Sequence, residues 1–171
     1  MSNSEKKSAQ IIALDARKTR TPDDAQATHT PSRYGYRMAG CGFLVGERML
    51  SEVVLAPTLA PVPKAPEWLL GLSNVRGVIV PVFDLWKFVL AQPPERAAST
   101  VLVLNLGEAP VGLVIDSLPQ PVPLDSQTVR TPPPAPALQP YLGRGLYAFG
   151  CAWWEFKPQE FLAYLSVVDA R

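Results

Sequence analysis

Trp68-Leu69-Leu70-Gly71-Leu72-Ser73-Asn74-Val75-Arg76-Gly77-Val78-Ile79-Val80-Pro81-Val82-Phe83-Asp84-Leu85 is the stretch in which the architecture of this chain is most legible. Apolar residues flank Asn74 to Gly77, and Asn and Gly are residues that turns favour. Arg76 is therefore expected at a turn between two segments that can be buried, a lone cation held at the edge of a core. Val78 to Phe83 is rich in β-branched residues and reads as a strand. Pro81 lacks the donor that a central ladder needs, which predicts an edge or a bulge. Asp84 suits the cap of a short helix over Leu85 to Leu90. Upstream, Glu67 to Leu72 is expected to form one helical turn, because Pro66 fits a first helical position.

Moving outward, short apolar segments alternate with turn residues at close spacing, the pattern of an all-β barrel or sandwich. Arg33 to Met38 and Phe43 to Val45 flank Ala39-Gly40-Cys41-Gly42, whose glycines suit a tight hairpin. Met49 to Leu55 gives a third strand, and Pro57, Pro61, Pro63 and Pro66 mark an extended connection. Val101 to Leu106, Pro110 to Ile115, Pro121 to Leu124, Gly145 to Phe149 and Cys151 to Phe156 read as further strands. Trp153 and Trp154 point to opposite faces of such a strand, so one of them is expected to meet solvent or a partner. A helix over Pro158 to Leu165 opens with proline and puts Phe161, Leu162 and Leu165 on one face. Thr131 to Pro136 reads as a stiff surface connection. Residues 1–32 carry too little apolar surface to offset the entropy of ordering and read as a flexible tail, with Gln10 to Leu14 able to form one helical turn. Residues 33–168 are expected to be one domain.

Composition narrows the function. At 171 residues and 47% hydrophobic content the chain can bury a core of its own. Its net charge is +1, and the residues after Arg37 hold nine Lys or Arg against eleven Asp or Glu, a balance of −2 that argues against nucleic acid or anionic lipid as partner. Cys41 and Cys151 form no Cys-x-x-Cys motif, which fits reduced thiols in a cytoplasmic protein, although a single bridge between them is open. No apolar run approaches the ~20 residues of a membrane span, and the start lacks a signal-peptide centre. The one histidine, His29, lies in the tail, where no second group can orient it for a triad or a metal. Gly40-Cys41-Gly42 and Gly143-Arg144-Gly145 lack the rest of a phosphate loop. Nothing in the context of Glu52, Asp84 and Asp116 shows that these carboxylates converge. No catalytic residue, cofactor or metal is predicted, and the four tryptophans read as core and interface anchors.

The chain resembles the CheW-like family of chemotaxis coupling proteins. The resemblance rests on Leu50-Ser51-Glu52-Val53-Val54, the connection Pro61 to Pro66, the Leu70 to Leu85 run with its Asn-x-Arg-Gly followed by Pro-Val-x-Asp-Leu, and Gly112-Leu113-Val114-Ile115-Asp116. The ending, with Trp153, Trp154, Pro158 and Phe161-Leu162, is similar to the PilI-like branch attached to type IV pilus twitching motility. The proline cluster at 132 to 136, the long tail and Trp86-Lys87-Phe88 depart from the family pattern.

The resemblance implies two five-stranded SH3-like barrels packed on a shared core, with a short C-terminal helix and no catalytic activity. It implies an adaptor between the cytoplasmic tip of a methyl-accepting receptor and the regulatory domain of a CheA-type histidine kinase, with no nucleic acid bound and no membrane insertion. Arg76 would then be the polar anchor, held by Glu52, since a guanidinium can pair with a carboxylate and still offer donors. Leu50 would form the apolar floor of the groove and Gly71 would allow close approach of backbones. Asn74 and Val75 belong to the same contact region. Val78, Val80 and Val82 would present an exposed hydrophobic patch to the kinase. Asp84 and Asp116 are expected to have structural, capping roles. A small barrel binding RNA or a small ligand is the alternative reading, and a hydrolase the third.

Overall fold

Strand pairing in this chain is dominated by tight hairpins, and three of them share one device. In the computed structural model, which describes residues 10–14, 32–46, 49–90, 98–105, 109–123 and 136–168, Ala39-Gly40, Arg76-Gly77 and Phe149-Gly150 each form a two-residue loop. Both residues of every loop have positive φ: 51° and 72° in the first, 52° and 86° in the second, and 51° and 72° in the third. This is the type I′ turn, whose twist matches that of the strands it joins.

The strands are β1 (Gln10–Leu14), β2 (Ser32–Met38), β3 (Cys41–Leu44), β4 (Ser51–Leu55), β5 (Leu69–Val75), β6 (Val78–Phe83), β7 (Thr100–Leu104), β8 (Val111–Val114), β9 (Ser117–Pro123), β10 (Leu142–Ala148) and β11 (Cys151–Phe156). Helix α1 (Leu85–Val89) follows β6, a 3-10 turn occupies Pro136–Tyr141, and α2 (Pro158–Val168) ends the fold. One sheet has the order β1-β4-β7-β8-β6-β5, the other β10-β11-β3-β2-β9. The chain changes sheets between β1 and β2, between β3 and β4, and again between β8 and β9.

Each sheet curls around a small interior of its own. The first is lined by Val54, Val75, Val80, Val82, Val101, Val103 and Val114, the second by Leu44, Val122, Leu146, Ala148 and Trp153. Between them lies the larger shared core, in which Val53, Phe83, Leu102 and Leu113 of the first sheet meet Tyr36, Phe43, Trp154 and Phe156 of the second. Phe161 of α2 stacks into this layer against Phe83, Phe88, Tyr141 and Phe156. The fold is thus two small barrels on a common core, as the resemblance implies.

Four expectations need correction. The first sheet has six strands, because Gln10–Leu14 pairs with β4 as a strand and makes no helical turn; the rest of 1–31 lies outside the described residues, as does Thr131 to Ala135. The helical turn expected over Glu67 to Leu72 is only a turn from Pro66 to Leu69, closed by Leu69 N–H donating to Pro66 O at 2.9 Å, and the rest is strand. β5 starts at Leu69, since pairing with β6 buries Gly71, Ser73 and Val75 in alternation, and that outweighs a local helix start. β6 is an interior strand, with Pro81 just outside its short ladder to β8 at Val82 and Phe83. Trp153 and Trp154 are both buried, because β11 separates the second barrel's interior from the shared core. Both cysteines are free.

Candidate functional site

The Arg76 turn stands at one end of the first barrel. Asn74 braces it, its Oδ1 accepting the Gly77 N–H at 2.8 Å, so the loop is closed by a side chain as well as by the ladder. Arg76 has φ 52°, a region that a long side chain occupies at some cost. Its Nε donates to Glu52 Oε1 at 2.9 Å. The arginine side chain is 54% exposed and the glutamate 8%. A buried carboxylate therefore fixes the root of a half-exposed arginine side chain through Nε, a contact that does not use its Nη groups.

Glu52 comes from β4, where alternation puts it on the same face as Val54. Its Cα partners are Ala13 of β1 on one side and Val103 of β7 on the other. Among the described residues its Oε2 is buried without a hydrogen-bond partner. Leaving an acceptor dry costs about 1–3 kcal/mol, more when it is charged. The carboxylate at the end of a valine interior is thus held there against its hydration.

Beside the turn opens a cleft of about 380 Å³ lined by residues that include Val54, Thr58, Ala60, Leu72, Asn74 and Ile79. Gly71 lies outside the lining but lets Ala60, which is part of it, pack against β5. Ala60 and Leu72 exchange two backbone hydrogen bonds of 2.8 Å each, and a Cβ on Gly71 would sit 2.5 Å from Ala60 O. With φ 144° as well, no other residue fits.

The expected site residues divide accordingly. Arg76, Glu52 and Asn74 come together at the turn, and Gly71 allows the close backbone approach of Ala60 beside the cleft. Val75 is buried in the barrel interior and supports the turn from below. Leu50 does not floor the cleft: it is 66% exposed at the entry to β4 and lies outside the cleft lining. Val80 and Val82 are fully buried and Val78 is half-buried, so the patch expected there does not exist. The period of two sends those valines inward and turns Ile79 and Leu72 outward, and these two form the exposed apolar surface next to Arg76. The alternation within Leu72 to Val82 carried that information. Asp84 caps α1 as expected, its Oδ1 accepting the Trp86 N–H at 3.0 Å. Asp116 does more than cap. It accepts the Trp86 indole N–H at 3.0 Å and the Gly40 N–H at 3.3 Å, tying α1 to the β2–β3 hairpin of the other barrel.

Among the described residues no cluster of three or more His, Cys, Asp and Glu is placed to hold a metal, and no helix is long and apolar enough to cross a membrane. A family model for the CheW-like domain matches residues 36–146. The chain belongs to the CheW-like domain family. Among its CheW-like relatives, Protein PilI of Pseudomonas aeruginosa is 29% identical over 151 residues, 86% of this chain and 84% of that protein. Chemotaxis protein CheW of Klebsiella aerogenes is 34% identical over 73 residues, 42% of this chain and 44% of that one. The crystal structure of the scaffolding protein TtCheW from Thermoanaerobacter tengcongensis superposes with a TM-score of 0.60 at 21% identity, covering 78% of this chain and 90% of that chain, a likeness of fold. The matched CheW-like region holds the whole Glu52–Arg76 site, whereas β1 lies before it.

Proposed function

We propose that this chain is a non-catalytic cytoplasmic adaptor that couples the cytoplasmic tip of a methyl-accepting receptor to the regulatory domain of a CheA-type histidine kinase, in a pathway governing type IV pili. The observation that carries this reading is the exposed Arg76 guanidinium, rooted by a buried glutamate at the mouth of an apolar cleft in a CheW-like protein. Such a site recognises a protein surface: the cation orients the partner and Leu72 and Ile79 supply apolar contact. The extent of the PilI match favours the pilus branch over the flagellar one.

Coupling requires two bound geometries that differ by a few kcal/mol, and a hairpin braced at both ends can transmit one of them. The test is titration of the chain with a receptor tip fragment and with the kinase regulatory domain. Arg76→Ala should retain the fold and bind the receptor fragment at least about tenfold more weakly, the loss of a charge-assisted contact. Unchanged affinity would remove Arg76 from the anchor role.

A further inference from the structure

Among the described residues strand β1 is paired to β4 alone and is an edge of its sheet. Between Leu14 and Ser32 lie 17 residues, enough for an extended chain to span at most about 60 Å. The β4 edge beneath the strand carries the backbone donors and acceptors of an open sheet edge whenever β1 leaves it. The register places Ala13 directly opposite Glu52. Alanine carries no side-chain donor, and among the described residues Glu52 Oε2 is buried without a partner. Seating β1 therefore gains a ladder but leaves a carboxylate oxygen unsatisfied.

We propose that the β4 edge is a strand-accepting docking surface for an extended segment of a partner protein, one that carries Lys or Arg opposite Glu52 between apolar neighbours, and that residues 10–14 occupy this surface in cis until displaced. Residues facing one another across an antiparallel pair have Cβ atoms about 5 Å apart, so a basic side chain in the place of Ala13 reaches Oε2 while Arg76 keeps Oε1. Main-chain bonds supply affinity in such an addition, and the one basic residue supplies selectivity. Because β1 belongs to the same chain it competes intramolecularly, so only a segment that gains what alanine lacks displaces it. The surface is distinct from the exposed side of Arg76, so the fate of this proposal is separable from that of the receptor anchor.

The full-length chain supplies the test. Hydrogen exchange at the β4 amides should show β1 opening without global unfolding. Ala13→Lys should slow that opening by about tenfold and Ala13→Glu should speed it by a similar factor, since one satisfies the carboxylate and the other repels it. Labelled peptides copying residues 8–16 with Lys, Ala or Glu at the position of Ala13 should bind in the order Lys, Ala, Glu, and Glu52→Gln should abolish the preference for Lys. Equal effects of Lys and Glu would overturn the proposal, as would peptides that fail to bind or β4 amides that exchange only on global unfolding. Dimerisation through exchanged β1 strands would assign the edge to a second copy and overturn the heterologous partner.

Discussion

Tyr36 is a fully buried residue of the shared core whose hydroxyl has no hydrogen-bond partner among the described residues. Burial pushes its ionisation far above the ordinary value of 10.0. A dry hydroxyl is a standing cost, so Tyr36→Phe should raise stability by about 1 kcal/mol at pH 7, read from urea denaturation. The pH dependence has a definite sign. A folded-state pKa raised above its unfolded value gives stability that is complete below the unfolded pKa and lost as pH rises beyond it. Cys41 behaves alike: burial raises it above 9.0, with Asp116 adding to the shift and Arg37 opposing it. Stability should therefore hold to about pH 8.5 and fall from there, first through the thiol and then through the tyrosines. Tyr36→Phe should flatten the part above pH 10 and leave the Cys41 part. An alkaline limb identical to that of the wild type would show that Tyr36 is not the group responsible.

Hairpins are the elements that the chain writes most openly, and their cost is visible at Phe149. This residue is 66% exposed and has φ 51° in the β10–β11 turn, where asparagine is the favoured occupant of a type I′ first position. Phe149→Asn should raise the thermal midpoint, by roughly 1 kcal/mol in stability, from relief of the left-handed strain. A lowered midpoint would mean that the ring makes contacts worth more than its strain. The same local chemistry makes the Arg76 turn, the Val78–Phe83 strand and the Asp84 cap readable in the sequence, because each depends on residues close to one another along the chain. Long-range pairing is what local reading missed. Gln10–Leu14 becomes a strand only because β4 has a free edge, and Leu69–Val75 overrides a plausible helix start because β6 lies beside it. Trp153 fits inside only because Gly35 and Gly42 leave space, a Cβ on Gly35 falling 2.6 Å from the indole. The Glu52–Arg76 pair, 24 positions apart, came from family resemblance and not from spacing. Strand alternation alone puts Leu72 and Ile79 on one face and Val80 and Val82 on the other, but which face is outward depends on the barrel, and it is the reverse of the outward valine patch that the sequence suggests.

At the scale of the whole molecule, the two barrels cannot be treated as separate folding units. Their private interiors are small, whereas the shared core takes residues from both sheets, α1, the 3-10 turn and α2. Phe161 shows why. Its ring lies 5.4 Å from those of Phe83 and Phe88, 5.3 Å from Tyr141 and 5.8 Å from Phe156, so one side chain bridges the first sheet, both connecting helical segments and the second sheet. Asp116 adds a polar tie between the same halves through Trp86 and Gly40. Removing the Phe161 ring opens a cavity against all of these at once, and truncations of this kind cost about 3–5 kcal/mol. If the halves share their stability, Phe161→Ala should shift the far-ultraviolet circular dichroism and tryptophan fluorescence transitions by the same amount and keep them coincident. A barrel that could stand alone would instead keep its own midpoint, and the two probes would separate. Coincidence matters for the adaptor reading as well: a contact at the Arg76 turn can bias the far barrel only through an interior that both barrels need in order to remain folded.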